Sequence, residues 1–139
     1  IFLKKKNCVF INDSKATSFE PTKIALENTK NTYWILGGEP KKNDKINLTY
    51  LKNNIIKSYI IGKYTSFFKK QLKNKINYSV TGNIRNSIIR IFKDIKFNKT
   101  KNISILFSPA SASYDQYSNF EKRGEEFKRL CKKYARKLI

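Results

Sequence analysis

Three polar clusters carry residue types that could do chemistry. The first, Asn12-Asp13-Ser14-Lys15-Ala16-Thr17, sets a carboxylate, an ammonium and two hydroxyls just before a helix start. Backbone N–H groups at that start, with the Thr17 hydroxyl and Lys15, suit a carboxylate or a phosphate. The same residues equally suit an Asp and Ser capping cluster beside a solvated lysine. The second cluster is Gly37-Gly38-Glu39-Pro40-Lys41-Lys42, whose glycines let the backbone turn sharply and hold out a lysine. As a bare turn it would need no ligand. The third runs from Ser108-Pro109-Ala110-Ser111-Ala112-Ser113-Tyr114 through Phe120 to Gly124. Its small residues permit a tight turn, and N–H groups around Ser118 to Phe120 are placed for an anion at the amino end of the last helix. A serine-rich loop can also be only a cap.

Several chemistries lack their parts. With no His and no Gly-x-Ser-x-Gly elbow, a serine hydrolase has no base. No Gly-Lys-Thr or Gly-Lys-Ser occurs, so a Walker-type phosphate loop is absent from this sequence. A dedicated metal site is not expected either, because the two cysteines, Cys8 and Cys131, stand far apart and the acids are dispersed. Both thiols fall on apolar stripes and are expected to be buried and free.

The charge balance, 30 Lys and Arg against 10 Asp and Glu, proposes a polyanionic partner. Two features argue for a solvated basic surface instead. Arginine occurs only at positions 85, 90, 123, 129 and 136, and the lysines are strewn along the whole chain. The excess of Lys, Asn and Ile is what AT-rich codons encode. A lysine-rich RNA or polyanion module remains the alternative, and steeply salt-dependent oligonucleotide binding would mark it.

What must position the three clusters is an alternation of strands and helices. Strands are expected at Cys8 to Asn12, Thr32 to Gly37, Ile55 to Ile61, weakly near Ile76 to Val80, and Ile103 to Ser108. Helices are expected from Phe19 to about Asn28, capped by Ser18 with Ile24 and Ala25 starting the inward stripe, and briefly at Leu48 to Lys52. Others are expected at Tyr64 to Lys73 with Phe67, Phe68 and Leu72 inward, and at Asn83 to Phe97 with Ile84, Ile88, Ile91, Phe92 and Ile95 inward. The last, Asn119 to Leu138, puts Phe120, Phe127, Leu130, Cys131, Tyr134 and Leu138 on one stripe. The fold class that follows is α/β, a three-layer domain with a mostly parallel sheet of about five or six strands and helices on both faces. Each cluster sits just past a strand's carboxyl end, the edge where such sheets bind ligands.

No linker or repeat divides the sequence, so residues 1–139 are expected to be one domain. The chain opens at Ile1 and contains no Met, which reads as a piece of a longer protein. No run approaches the roughly 18 apolar residues of a membrane span, and no signal peptide is evident. A soluble, cytoplasmic and monomeric domain is the expectation.

In order along the chain, NDSKAT (12–17), WILGG (34–38) followed by Lys41, and SPASASYDQYSNFEKRG (108–124) closely resemble the last domain of the Mur ligases, in their D-glutamate-adding branch. The resemblance reaches from the first strand to the final helix. It implies a Rossmann-like domain that closes over a central ATP-binding domain, with that domain and an amino-terminal UDP-binding one absent from this sequence. The implied reaction is ATP-dependent amide-bond formation through an acyl phosphate, joining D-glutamate to UDP-N-acetylmuramoyl-L-alanine in peptidoglycan synthesis. By position, Thr17 and Lys41 would contact D-glutamate, while Ser113, Tyr114 and the Phe120 backbone would hold its other carboxylate end. Asp13 would meet the ribose of ATP, and Lys15 would be the active-site lysine. ATP and Mg2+ would be held mainly by the central domain, so this piece alone would be inactive. No nucleic acid or membrane partner is implied. The sequence departs from the family where Ser111 replaces a usual Cys, where Lys42 replaces a small residue, and at Tyr114 and Tyr117 in place of Leu or Phe.

Overall fold

A computed structural model describes residues 1–97, 102–114 and 116–138. Among these residues six strands form one sheet: β1 (Leu3–Lys5), β2 (Cys8–Asn12), β3 (Thr32–Gly37), β4 (Ile55–Ile61), β5 (Tyr78–Gly82) and β6 (Ile103–Phe107). Among the described residues four α-helices accompany them, α1 (Phe19–Glu27), α2 (Thr65–Leu72), α3 (Ile84–Lys96) and α4 (Phe120–Leu138), with one 3-10 turn at Lys52–Asn54. The strand order is β1-β2-β6-β3-β4-β5, and every pairing except β1 with β2 is parallel. The three-layer α/β architecture is therefore the one the alternation of elements demands.

Period-two alternation along the strands builds two separate cores. Phe10, Tyr33, Ile35, Tyr59, Ile105 and Phe107 face α3 and α4, where Ile88, Ile91, Phe92, Phe127 and Leu130 meet them. Trp34, Leu36, Ile60 and Leu106 face the other way, onto Phe19 and Leu26 of α1, Phe68 and Leu72 of α2, and the loop residues Ile46, Leu48 and Leu51. The chain winds outward from β3 through β4 to β5 over the second face. It then returns along α3 on the first face and inserts β6 between β2 and β3. Reversal of direction requires the crossover to change face if its hand is kept. That insertion sets β2, β6 and β3 side by side, with their carboxyl ends at one rim.

Some elements differ from the sequence expectation. β1 was not foreseen, because Leu3-Lys4-Lys5 has little apolar pattern; it pairs antiparallel with β2, and its lysines suit an exposed sheet edge. β5 starts at Tyr78 rather than Ile76, whose N–H is spent on Leu72 O at 3.2 Å in the exit turn of α2. A helix expected from Leu48 is only a turn there, with regular 3-10 geometry at Lys52–Asn54.

The inward stripe of α1 is Phe19, Thr22 and Leu26, while Ile24 is 59% exposed and Ala25 packs only partly against the core. Apolar pattern alone misplaced that face, since the deciding residue is polar. Thr22 is fully buried with its hydroxyl 2.8 Å from Ser108 Oγ. Ser18 occupies the N-cap position of α1 but makes no side-chain cap. In α4, Phe127, Leu130 and Cys131 are buried as expected and Tyr134 is partly so, whereas Phe120 is exposed at the rim; the Leu138 side chain lies outside the description. Both cysteines are free and buried, and burial pushes their thiols up. Among the described residues no helix is long and apolar enough to cross a membrane.

Candidate functional site

The loops after β2, β3 and β6 are stitched together at the rim. Asp13 N–H donates to Phe107 O at 2.7 Å, and Gly37 N–H donates to Pro109 O at 3.0 Å. Glu39 and Ala112 exchange a reciprocal backbone pair at 2.9 and 2.8 Å, a two-residue bridge linking the second loop to the third. Trp34 Nε1 donates to Ser108 O at 2.7 Å, which anchors the start of the third loop to the core. Gly38, at φ +139, has to be glycine, because a Cβ there would sit 2.3 Å from Ala112 O.

Arg123 joins the first and third loops from within. It is 1% exposed, and its guanidinium donates from Nε to Ser14 Oγ (3.0 Å), from one terminal nitrogen to Ser14 O (2.6 Å) and from the other to Ser111 O (2.9 Å). Ser14 Oγ in turn donates to Phe120 O at 2.7 Å. Gly124 lets α4 come this near, since a Cβ there would lie 2.9 Å from Asn12 Nδ2. Sequence reading gave Arg123 no role. A buried arginine in the charged stretch Glu121 to Arg123 looks like its solvated neighbours until its partners are known.

Between the three loops lies a cleft of about 500 Å³ lined by Thr17, Ser18, Glu39, Pro40, Lys41, Ala112 and Tyr114. Of the residues singled out from sequence, Thr17, Lys41 and Tyr114 share this wall. Ser113 is buried and lies outside it, with its carbonyl accepting from Gln116 N–H (3.0 Å) and Tyr117 N–H (2.8 Å). Phe120, also outside the wall, opens α4, where Asn119 Oδ1 already accepts from Lys122 N–H at 2.8 Å. Its lining holds one cation, Lys41, and one carboxylate, Glu39.

Asp13 is held by Ser108 Oγ, 2.7 Å from its Oδ2. Burial raises its carboxyl above the ordinary value, against the opposing Ser108 hydrogen bond and the Lys15 charge. Lys15 itself is exposed. Among the described residues there is no group of three or more His, Cys, Asp or Glu that could hold a metal ion.

No protein-family model matches the chain. Curated proteins do. The chain is 40% identical over 94% of its length to the UDP-N-acetylmuramoylalanine--D-glutamate ligase of Wolbachia sp. subsp. Brugia malayi (strain TRS), covering 26% of that protein. It is 34% identical over 93% of its length to the enzyme of the same name from Nitrobacter hamburgensis, covering 28% of it. It is 36% identical over 89% of its length to that of Rhizobium meliloti, covering 27%. The chain is a relative of these D-glutamate ligases. It corresponds to their carboxyl-terminal portion and spans about a quarter of their length. The match to the Wolbachia protein covers 130 of the 139 residues.

Proposed function

We propose that residues 1–139 form the amino-acid-binding, carboxyl-terminal domain of a cytoplasmic, ATP-dependent ligase that adds D-glutamate to UDP-N-acetylmuramoyl-L-alanine in peptidoglycan synthesis. The observation that carries this reading is the shared cleft: Thr17, Lys41 and Tyr114, from three loops far apart in sequence, line one cavity at the carboxyl rim of a parallel sheet. D-glutamate carries two carboxylates and an amine. Lys41 offers a charge-assisted contact to one carboxylate and Thr17 a hydroxyl donor beside it. In this reading Ser113 and the Phe120 backbone serve the second carboxylate, which requires the 113–120 turn to present them to the cleft.

Asp13 supplies a carboxylate acceptor for ribose hydroxyls at the rim, and Lys15 a cation near the reacting groups. ATP is the phosphoryl donor, and the groups that hold it and Mg2+ belong to domains outside this chain. The domain's own contribution is orientation of the amine toward the activated carboxylate, a service worth several kcal/mol of a barrier. The 139-residue chain alone, expected to be monomeric, should therefore fold and show no ligase turnover.

The deciding experiment is Lys41→Ala in the ligase that contains this domain. Loss of a charge-assisted contact should raise KM for D-glutamate by about tenfold or more, with KM for ATP and the nucleotide precursor little changed. An unaltered KM for D-glutamate would refute the assignment.

A further inference from the structure

Two segments that line the cleft are joined by a residue that does not line it. Asp44, in the loop after β3, places Oδ2 2.9 Å from the Phe19 N–H at the start of α1. Ser18, the residue at the cap position, makes no side-chain cap, so Asp44 satisfies a helix-start donor from another loop. The same Asp44 donates its own N–H to Lys41 O at 3.0 Å, and its Oδ1 accepts from Lys45 N–H at 3.1 Å. Thr17 and Ser18 line the cleft immediately before α1, and Lys41, which closes a four-residue turn with Asp44, lines the same cleft.

From this geometry we infer that Asp44 is a positioning residue, a strap that fixes the gap between Thr17 and Lys41 and thereby the fit of the amino acid between them. The inference rests on the assignment of the cleft to D-glutamate. The positive end of α1 is already engaged by a side-chain carboxylate from within the chain. The substrate carboxylate is therefore left to Lys41 and Thr17 rather than to the Phe19 N–H.

Two variants test the strap. Asp44→Ala removes the acceptor. Asp44→Asn keeps an oxygen that can accept from Phe19 N–H, as Asn does at helix caps. In the ligase containing this domain, Asp44→Ala should raise KM for D-glutamate by about fivefold to tenfold, the size of a lost cap expressed in binding. KM for ATP and kcat should stay within about twofold, and Asp44→Asn should recover most of the loss. In the Lys41→Ala background, Asp44→Ala should add little, because the strap acts through Lys41. Faster amide exchange at Phe19 in the 139-residue Asp44→Ala chain reports the strap without any ligand.

An unchanged KM for D-glutamate in Asp44→Ala, or full additivity with Lys41→Ala, overturns the positioning role while leaving the cleft assignment intact. A loss of kcat and thermal stability without a change in KM does the same, since it marks a purely structural cap. Failure of Lys41→Ala to move KM removes the assignment itself and takes this inference with it.

Discussion

The Arg123 guanidinium donates to the Ser14 carbonyl at 2.6 Å, tying the first turn of α4 to the loop after β2 across 109 residues of sequence. With Ser111 O at 2.9 Å on another nitrogen, one planar group spans two of the three rim loops. A lysine could not do this, since a single ammonium cannot take a forked geometry.

Arg123→Met should therefore cost about 3 kcal/mol, because the Ser14 and Ser111 carbonyls lose a charged donor in a buried place. Arg123→Lys should recover only part of it. Urea unfolding of the 139-residue chain measures both, and a loss under about 0.5 kcal/mol for the methionine variant would show that the clamp is dispensable.

Gly38→Ala probes the bridge between the second and third loops. The added Cβ would lie 2.3 Å from Ala112 O and 2.8 Å from Ser111 Oγ, at a φ of +139. Backbone has to yield on one side, and the Glu39–Ala112 pair is the nearest thing that can. The expected cost is about 3 kcal/mol, read by denaturant unfolding. Under the proposed D-glutamate assignment, the same change in the ligase of that reading should weaken D-glutamate binding, because both Lys41 and Tyr114 hang from the bridged segments. Parent-like stability would mean that the two loops are not locked together.

Asp94 gives the stability a defined pH dependence, with no bearing on the cleft. It accepts from Lys57 Nζ at 2.9 Å and Tyr59 OH at 2.6 Å, with Arg90 Nε at 3.4 Å. Burial alone would raise its carboxyl, but the Tyr59 and Lys57 hydrogen bonds and the Lys57 and Arg90 charges together hold it below the ordinary value of 3.8. A carboxyl lowered in the folded state contributes stability above its unfolded value and loses it as pH falls through the folded one. Asp94→Asn should thus be less stable than the parent at pH 7, and the gap should close as pH drops below 3.8. Stability curves that stay parallel down to pH 2 would contradict this, a range to be checked at about that acidity.

What the sequence determined by itself is whatever is local. β2, β3 and β4 begin and end where apolar runs do, at Cys8 and Asn12, Thr32 and Gly37, and Ile55 and Ile61, because strand pattern and turn chemistry are written in neighbouring residues. The placement of the three polar clusters past strand ends follows from the same pattern, and so does the likeness to the D-glutamate ligases, carried by residue order. Tertiary structure alone decided which polar residues are spent inside. Arg123 reads as one more surface cation and is buried, Asp44 caps a helix 25 residues earlier, Thr22 rather than Ile24 faces inward, and Ser113 is packed away from the cleft wall. Each of these depends on a partner distant in sequence. Burial of a polar group is costly unless such a partner waits, and no local pattern records that it does.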